Sequence, residues 1–582
     1  MKAASLFGVF LVAKVLILAD RDVPCSLWTP LAFLWQDALM ALLFGALDYA
    51  IRRRPALGWG LYVLAALYTA VNVPVACLLS SPLTWPMLRA ARGTLADSIA
   101  YYVTAANLLR IAVVLGAAFV LPVTLRRLLG YIPMRWRFVG VAGVAICLPL
   151  GPLAMSYVST HGLHRNVLSV LATTALPRIP ALDLQGDWRT SPFGARRSED
   201  LSRFRGSATG RNIVLIHLES TAARYLAAYG ADDDPMPNLT ILSRRAIRFE
   251  NAYAVYPETI KSFFTVHCSR YPALDTTAEM YEQIQVPALA TLLPERGYRT
   301  GLFHSGRFGY LGMDSMLKNR GFETLEDAGD IGGEHDSSFG IDEPSTVRRM
   351  LRWIDERPTD QPFFLTYLPI AGHHPYATPD PGPFPDSDLR NRYRNALYYS
   401  DAALGQLIEG LRQRRLDFQT VFVILGDHGE AFGEHPGNHG HTLYIWEENL
   451  RVPYLIVAPG LVDEAIAVHR LASLVDTAPT VLDLLGLPIP SEYQGHSLLR
   501  AQTGMALFCT DYSIGFLGLR DGEWKMVHEL EYGQSHLFDL RTDPTEQHDL
   551  SRFHAERTEE YRHHLLRWAA AQKYQITKSP GG

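Results

Sequence analysis

The chain has 582 residues, a formal net charge of −5 and a hydrophobic content of 48%. This length exceeds one ordinary domain, so we expect two or more structural units. A negative net charge disfavours contact with a polyanion, which excludes nucleic acid as an expected partner.

Most of the excess hydrophobicity lies in five apolar segments near the N-terminus, at residues 3–19, 27–50, 57–79, 102–125 and 138–158. Several approach the ~20 residues that a helix needs to span a bilayer. The first is short enough for a signal peptide, but no small-residue cleavage site stands out after it and four more segments follow. The sequence therefore predicts a five-helix transmembrane domain over residues 1–159. Asp37 lies within the second segment.

Lys and Arg residues concentrate in alternate loops between these segments, at Lys2, at 52–54 and at 126–137. The positive-inside rule then places the N-terminus in the cytoplasm. Five crossings deliver everything after residue 158 to the periplasm or the cell exterior. We expect a multi-pass protein of the inner or plasma membrane.

The remaining chain divides by composition and pattern. Residues 160–210 mix Pro, Arg, Ser and Gly and predict a juxtamembrane linker with a short helix at 164–176. Over 211–503, strands at 213–218, 300–303, 362–368 and 421–425 alternate with helices at 236–246, 286–296, 343–356 and 393–414. This alternation predicts an α/β domain with a mostly parallel sheet. Short strands and a tail helix at 555–571 predict a small antiparallel subdomain over 504–582.

Two predicted strands end in metal-ligating residue types. The stretch TVFVILGDHGE at 420–430 leads an apolar strand into Asp427 and His428, and RNIVLIHLES at 211–220 ends at Glu219. Open α/β sheets keep their chemistry at the carboxyl ends of parallel strands. Carboxylate oxygens and an imidazole at one such edge predict a site for one divalent metal.

Between these strands lies YPETIKSFFTVHCSRYP at 256–272, which resembles the signature of sulfatases in the alkaline-phosphatase superfamily. Ser262 takes the signature serine and Thr259 the nucleophile position. The cysteine that sulfatases convert to formylglycine is absent there, and Cys268 stands nine residues later. Lys261 replaces the signature proline and Phe263 the signature arginine.

A threonine nucleophile with a single acid at the first strand resembles the membrane phosphotransferases of the same fold. These are lipoteichoic acid synthases, phosphoglycerol transferases and phosphoethanolamine transferases. The resemblance implies the metal ligands Glu219, Thr259, Asp427 and His428. This ligand mix suits Zn²⁺ or Mn²⁺ better than Mg²⁺ or Ca²⁺.

Further histidines extend the resemblance. The segment GHHPY at 372–376 is similar to the transferases' phosphate-contacting segment, with His373 the best match and His374 a near alternative. In the segment 434–460, His439 takes a substrate-contacting position and His441 assists. Lys261 is a further candidate substrate contact. The segment 303–322 lacks the Trp-Asn-Arg run with which lipoteichoic acid synthases grip glycerol phosphate.

The resemblance predicts a membrane-bound, metal-dependent transferase. Thr259 would take a phospho-head group from a phospholipid donor and pass it to a hydroxyl of a cell-envelope glycan or lipid, with His373 and His439 assisting. Two alternatives stay open: a sulfatase-family hydrolase and a non-catalytic membrane sensor. The head group, the acceptor and a Cys268–Cys509 disulfide also stay open.

Overall fold

The computed structural model describes residues 1–19, 21, 23–90, 96–131, 133–182, 187–194, 199–337, 339–501 and 504–578. These residues form two compact units, one made mainly of residues 1–177 and the other mainly of residues 178–582. The predicted domain boundaries at 159, 210 and 503 stay predictions.

The N-terminal unit is helical. Among the described residues, three helices have the length and hydropathy to cross a membrane: Thr29–Ala50, Pro55–Leu79 and Ala105–Leu128. The third of these belongs to a helix that continues to Tyr131 (Ala105–Tyr131). The other described helices of the unit are Lys2–Leu18, Trp85–Ala90, Ala96–Tyr101, Met134–Cys147, Leu150–Met155 and Val167–Thr173.

Two of the five predicted membrane spans are not among these three helices. The first helix, Lys2–Leu18, has 17 residues, and the fifth predicted span is divided between Met134–Cys147 and Leu150–Met155. Pro149 falls at this division, where it can supply no backbone hydrogen bond to a continuing helix. The unit is a membrane anchor with three apolar helices, while five crossings and their orientation stay predictions.

Asp37 is buried inside this anchor. Its Oδ2 lies 3.4 Å from Lys14 Nζ, and its Oδ1 accepts a 2.7 Å hydrogen bond from Asn166 Nδ2. Asn166 also caps the helix Val167–Thr173, which lies within the predicted helix 164–176. An acidic side chain inside an apolar helix is energetically unfavourable unless it is paired. These contacts tie the first two helices to the segment that follows the apolar helices.

The C-terminal unit is built on a nine-stranded sheet. Its strands and two short ones outside it are β1 (Asn212–Leu218), β2 (Ala246–Tyr253), β3 (Arg299–His304), β4 (Thr324–Glu326), β5 (Phe363–Leu368), β6 (Thr420–Gly426), β7 (Ala431–Phe432), β8 (His439–Gly440), β9 (Arg451–Val452), β10 (Tyr454–Val457) and β11 (Ile466–Ser473). The order is β11-β2-β10-β6-β1-β5-β3-β4, with β9 beside β2. β10 is antiparallel to both neighbours, and the other pairs along this path are parallel. The predicted mostly parallel sheet is confirmed.

Helices pack on both faces of the sheet. They are Pro237–Ser243, Thr259–Cys268, Ala278–Glu282, Leu289–Leu292, Met313–Leu317, Ala328–Ile331, Glu343–Asp355, Leu389–Gln413, Glu447–Leu450 and Thr477–Leu484. Val214 and Ile216 of β1 share a core with Trp353 and Leu404 of two long helices. The intervening His217 stacks on His267 of the helix Thr259–Cys268. Since alternate strand residues face opposite sides, this helix covers the other face.

The sequence analysis missed β2, β4 and the five strands from β7 to β11. The predicted helix at 236–246 ends at Ser243, and the strand β2 follows from Ala246. Arg248 and Glu250 interrupt its apolar residues and are only partly buried. These charges interrupt the apolar run that is typical of a strand inside a sheet.

The end of the chain forms the predicted antiparallel subdomain. Its strands β12 (Ala506–Thr510), β13 (Phe516–Asp521), β14 (Trp524–Glu529) and β15 (Ser535–Asp539) pair in sequence order, and the tail helix is Ala555–Thr577. Cys268 and Cys509 are buried free thiols rather than a disulfide. On β14, the fully buried Lys525 lies 3.0 Å from Glu447 and 2.8 Å from Glu546.

We predict that Lys525→Met lowers the stability of the C-terminal unit by about 3–5 kcal/mol, since it leaves the buried carboxylate of Glu546 without its cation. The partly buried Glu447 keeps Arg520 at 4.0 Å. A fall in the thermal unfolding midpoint of the purified protein measures this loss. Lys318→Met is the matched control, because Lys318 is half exposed and pairs with Glu282 at the surface, where a salt bridge contributes at most about 1 kcal/mol. Equal midpoints for the two variants would contradict the prediction.

Candidate active site

The site begins with the pairing of β1 and β6. These strands are parallel neighbours, and Leu218 lies opposite Gly426. Every residue of both strands is buried, so their register is fixed by the core on both faces. Glu219 and Asp427, the next residue of each strand, therefore emerge side by side at the carboxyl edge of the sheet.

Thr259 reaches this edge from the start of the helix Thr259–Cys268. Its hydroxyl Oγ1 donates a 2.9 Å hydrogen bond to Glu219 Oε2 and lies 3.3 Å from His428 Nε2. One turn on, Ser262 Oγ donates to the carbonyl of Asp427 at 2.9 Å. The signature serine thus binds this helix to the end of β6 and holds Thr259 between the two strands.

His428 is held with one bare ring nitrogen. Its Nδ1 lies 3.0 Å from the carbonyl of Gly429, so Nδ1 carries the hydrogen and Nε2 keeps its lone pair. Burial, together with the nearby His441, lowers the pKa of His428 to about 4, which keeps the ring neutral at pH 7. Nε2 lies 3.7 Å from Glu219 Oε1 and 3.6 Å from Asp427 Oδ2.

The donor atoms at this point fit a cation. Asp427 Oδ1 accepts hydrogen bonds from the backbone of Ser220 and His428, while the buried Oδ2 has no hydrogen bond of ordinary geometry from any described residue. Ligand atoms of Glu219, Asp427 and His428 lie within 4.8 Å of one another. No Lys or Arg of the described chain pairs with either carboxylate. Two buried acids, a bare imidazole nitrogen and a hydroxyl are a donor set for a divalent metal.

The two carboxyl groups show the electrostatic cost of this arrangement. Burial raises the pKa of Asp427 to about 7. It also raises the pKa of Glu219, and the charge of Asp427 raises it further. Burial and like-charge repulsion both disfavour ionised carboxylates. A divalent cation would reverse both effects, which is a further sign that these residues fit a metal.

The sequence analysis named His441 but missed the contacts that Glu430 makes with His441 and Tyr376 behind His428. Glu430 is buried, and its carboxylate binds His441 Nδ1 at 2.7 Å and the hydroxyl of Tyr376 at 2.5 Å. Burial raises the pKa of Glu430 to about 7. The His441 ring lies 4.2 Å from the His428 ring. Glu430 therefore holds His441 beside His428, and its position two residues after His428 was the only signal in the sequence.

The remaining predicted residues occupy different surroundings. His373 lies 6.1 Å from His441 between ring centroids, at the edge of the site, and its Nδ1 binds the carbonyl of His374 at 2.8 Å. Burial and His373 lower the pKa of the partly buried His374 to about 4. His439 begins β8. The substrate roles of these three residues stay predictions.

Lys261 is turned away from solvent. Its Nζ lies 3.5 Å from Asp511 Oδ1 and 3.9 Å from the centre of the Tyr256 ring. Burial favours the neutral amine, but Asp511 and Glu258 outweigh it and raise the pKa of Lys261 above its ordinary value. The ammonium thus has a protein counter-ion of its own, and a substrate contact by Lys261 stays a prediction.

Two aromatic side chains beside His373 were also missed. Phe339 lies 4.4 Å from His373 and Tyr310 lies 6.0 Å from it, between ring centroids. Burial raises the pKa of the Tyr310 hydroxyl, and the carboxylates of Glu258 and Glu219 raise it further. Tyr310 thus lies beside His373 at the edge of the site. It belongs to the segment 303–322, in which the sequence analysis had found only a missing motif.

Comparison with known proteins agrees with this geometry. Residues 211–487 match the model of the sulfatase family. This match and the fold support a sulfatase-like domain with an alkaline-phosphatase-like fold. Its fold is similar to that of a Vibrio parahaemolyticus protein of the alkaline-phosphatase superfamily, with a TM-score of 0.54 and 18% identity over 66% of this chain and 90% of that one.

The curated relatives of this chain include lipoteichoic acid synthase-like proteins and sulfatases. The chain is 27% identical to the lipoteichoic acid synthase-like protein YvgJ of Bacillus subtilis over 52% of its length and 51% of the relative's. It is 29% identical to arylsulfatase K of Rattus norvegicus over 35% of its length and 40% of the relative's. The chain thus spans about half the length, or less, of these two relatives.

We predict that Glu219→Gln and Asp427→Asn each remove most of the bound metal, because each takes away an anionic ligand. Metal content of the purified protein, measured by mass spectrometry after dialysis against Zn²⁺ or Mn²⁺, checks this. Asp417→Asn is the matched control, since Asp417 precedes β6 at the opposite edge of the sheet and should leave the content unchanged. Retention of full metal by both site variants would refute the ligand assignment.

We predict that Glu430→Ala lowers turnover by about 10²-fold by releasing His441, a typical cost of losing a positioned acid–base group. Glu430→Gln, which can still accept a hydrogen bond from His441, should lose less. Metal content separates orientation from ligation: an orienting Glu430 leaves it unchanged in both variants. Loss of the metal in Glu430→Ala would instead make Glu430 a ligand.

Proposed function

We propose that this protein is a membrane-bound transferase that moves a phospho-head group from a phospholipid to a hydroxyl acceptor through a phospho-threonine intermediate. The observation that carries the proposal is the position of Thr259 Oγ1, 2.9 Å from Glu219 Oε2 and 3.3 Å from His428 Nε2. An alcohol placed among metal-ligand atoms is an activated nucleophile rather than a simple helix-terminal residue.

In the first half-reaction, Thr259 Oγ1 attacks the phosphorus of the phosphodiester donor. The bond from phosphorus to the glyceride oxygen breaks, and the head group stays esterified to Thr259. The proton of Thr259 leaves along its hydrogen bond to Glu219 Oε2. The departing glyceride oxygen takes up one proton, which we assign to His373 at the edge of the site.

In the second half-reaction, the acceptor hydroxyl attacks the phosphorus of phospho-Thr259. The bond between phosphorus and Thr259 Oγ1 breaks, and Thr259 regains a proton while the acceptor hydroxyl loses one. His441 is suited to receive that proton, because Glu430 binds its Nδ1 and leaves Nε2 bare. The proton then passes to His373, whose ring lies 6.1 Å from that of His441 between centroids, and this restores both histidines. The sum is transfer of one head group with no net change in protons.

Glu219, Thr259, Asp427 and His428 would hold the divalent metal. When bound, it would lower the pKa of the Thr259 hydroxyl and offset the charge of the phosphate oxygens. The chain's own contribution is to fix Thr259 by its helix, to keep His428 neutral, and to place histidines beside the phosphate. Positioning and charge stabilisation supply most of the barrier reduction in phosphoryl transfer.

The lipoteichoic acid synthase-like relatives and the membrane anchor support a transferase. A lipid donor is confined to the bilayer, so an enzyme anchored there meets it at high local concentration. We place the catalytic unit in the periplasm or outside the cell, where a glycan or lipid acceptor of the cell envelope is reached. Residue 259 is Thr, so the formylglycine chemistry of sulfatases has no precursor at that position.

A second candidate is hydrolysis, with water as the acceptor. The arylsulfatase K relatives favour it. Release of nitrophenol from an aryl sulfate, dependent on Glu219 and Asp427, would support a sulfatase. A metal-free protein without covalent adduct would support the non-catalytic sensor.

We predict a covalent phosphoester on the peptide that contains Thr259 when the full-length protein is incubated with mixed phospholipids and no acceptor. Peptide mass spectrometry detects it. Thr259→Ala should abolish both the adduct and transfer, a loss of at least about 10³-fold for a covalent nucleophile. Thr259→Ser, which keeps the hydroxyl, should retain part of both. Full transfer by Thr259→Ala would end the assignment.

A further inference from the structure

Asp511 is a buried acid that directly follows β12 in the C-terminal unit. One of its carboxylate oxygens, Oδ1, accepts a hydrogen bond from the Tyr256 hydroxyl and lies 3.5 Å from Lys261 Nζ. Tyr256 stands three residues before Thr259, and Lys261 stands two residues after it. A single carboxylate oxygen therefore contacts both sides of the turn that carries the proposed nucleophile.

Lys261 strengthens this connection. Its ammonium also lies 3.9 Å from the centre of the Tyr256 ring, and the side chains of Lys261 and Asp511 are both more than nine-tenths buried. Loss of one partner of a buried ion pair leaves the other as an unpaired charge, which strongly disfavours that arrangement. Tyr256, Lys261 and Asp511 therefore hold together as one unit around the start of the helix Thr259–Cys268.

Arg178 and Asp275 fix Asp511 in its turn. Arg178 Nη1 donates a 2.6 Å hydrogen bond to the carbonyl of Asp511, and its Nη2 donates a 2.8 Å hydrogen bond to the carbonyl of Ser513. The backbone N–H of Asp275 donates to Asp511 Oδ2, and the carboxylate of Asp275 accepts the backbone N–H of Arg178 at 2.7 Å. These bonds form a closed ring that holds both the backbone and the carboxylate of Asp511.

Arg178 also has a particular place in the chain. It begins the stretch 178–434 of the C-terminal unit and follows Pro177, the last residue of the N-terminal unit before that stretch. Ile179 and Trp188, a short distance further on, are buried in the same apolar core as Tyr256. The first residues after the anchor unit are therefore part of the structure that supports the turn around Thr259.

The position of Thr259 has little tolerance for movement of this turn. Its Oγ1 lies 2.9 Å from Glu219 Oε2 and 3.3 Å from His428 Nε2, and a displacement of about 1 Å at a reacting group can cost about 10²-fold in rate. Ser262 holds the helix from the side of Asp427. Asp511 holds it from the side of Tyr256 and Lys261, so the turn is fixed at two separate points.

We propose that Asp511 is a positioning residue for Thr259, and that Arg178 holds Asp511 in the orientation that this role requires. The inference rests on the proposed function and concerns the rate at which Thr259 attacks. Asp511 and Arg178 act through Tyr256 and Lys261 and take no part in the bond changes at phosphorus. Donor binding therefore does not depend on them.

The test follows the adduct on the Thr259 peptide over time, with the full-length protein, mixed phospholipids and no acceptor. The final amount of adduct counts folded sites, and the rate constant measures positioning. Asp511→Asn keeps an oxygen for Tyr256 but loses the charge that faces Lys261, and should lower the rate constant about tenfold with the donor KM unchanged; Asp511→Ala should lower it about 10²-fold. A structural role alone would reduce the amount of adduct and leave the rate constant unchanged.

Two matched controls belong to this test. Asp521 is another buried aspartate of the C-terminal subdomain that accepts a hydrogen bond from a tyrosine hydroxyl, that of Tyr561, and Asp521→Asn should leave the rate constant unchanged. Arg178→Met should lower the rate constant about fivefold. Arg211→Met is its control, because Arg211 also donates to a loop carbonyl, that of Pro459, but precedes β1 at the opposite edge of the sheet.

Backbone hydrogen exchange tests the same support without a substrate. Exchange in the peptide around Thr259 should rise in Asp511→Asn and Arg178→Met but not in the two control variants. Slower adduct formation together with faster exchange supports the inference, whereas an unchanged rate constant in Asp511→Ala would overturn it while the transferase stands. If the unsubstituted protein forms no adduct, the transferase itself is overturned, and exchange alone decides whether Asp511 holds the turn.

Discussion

The register between β1 and β6 is the constraint on which the site depends. Leu218 lies opposite Gly426, so the acids that follow both strands leave the sheet at the same level. A shift by one residue would turn one acid to the other face of the sheet and separate the pair. Both strands are buried on both faces, so the hydrophobic core resists such a shift. The energy that maintains the site therefore comes from apolar packing well away from the reacting atoms.

That packing supports an arrangement that would be unfavourable alone. Glu219 and Asp427 are buried and close to each other, and the pKa of each is raised. Two backbone N–H groups stabilise Asp427 Oδ1, and the hydroxyls of Ser220 and Thr259 bind Glu219. The negative charge at Asp427 Oδ2 and the lone pair of His428 Nε2 stay uncompensated, and a bound cation would compensate both. Buried acids with strongly raised pKa values destabilise the folded state, and such groups are typical of functional sites.

The sequence predicted the parts of the molecule that local pattern determines. β1 and β6 are largely apolar runs, and the acids that follow them could be identified directly in the sequence. β2 was missed because Arg248 and Glu250 interrupt its apolar residues, although it lies inside the sheet between β11 and β10. The Glu430–His441–Tyr376 contacts and the placement of Tyr310 depend on loops distant in sequence, whose approach no periodicity encodes. The division of the fifth apolar segment at Pro149 depends on one residue that a hydropathy window averages away.

The choice of threonine at position 259 follows from the same geometry. Its hydroxyl has to stay between Glu219 and His428 at the first residue of a helix, where a serine would rotate freely among three rotamers. The β-branch of threonine restricts that rotation, and the hydrogen bond from Ser262 to Asp427 fixes the helix that carries it. A fixed alcohol loses less entropy when it reaches the phosphorus than a mobile one would. Thr259, which stands where the sulfatase signature has its cysteine, is therefore held in place by its helix and by its contacts with Glu219 and His428.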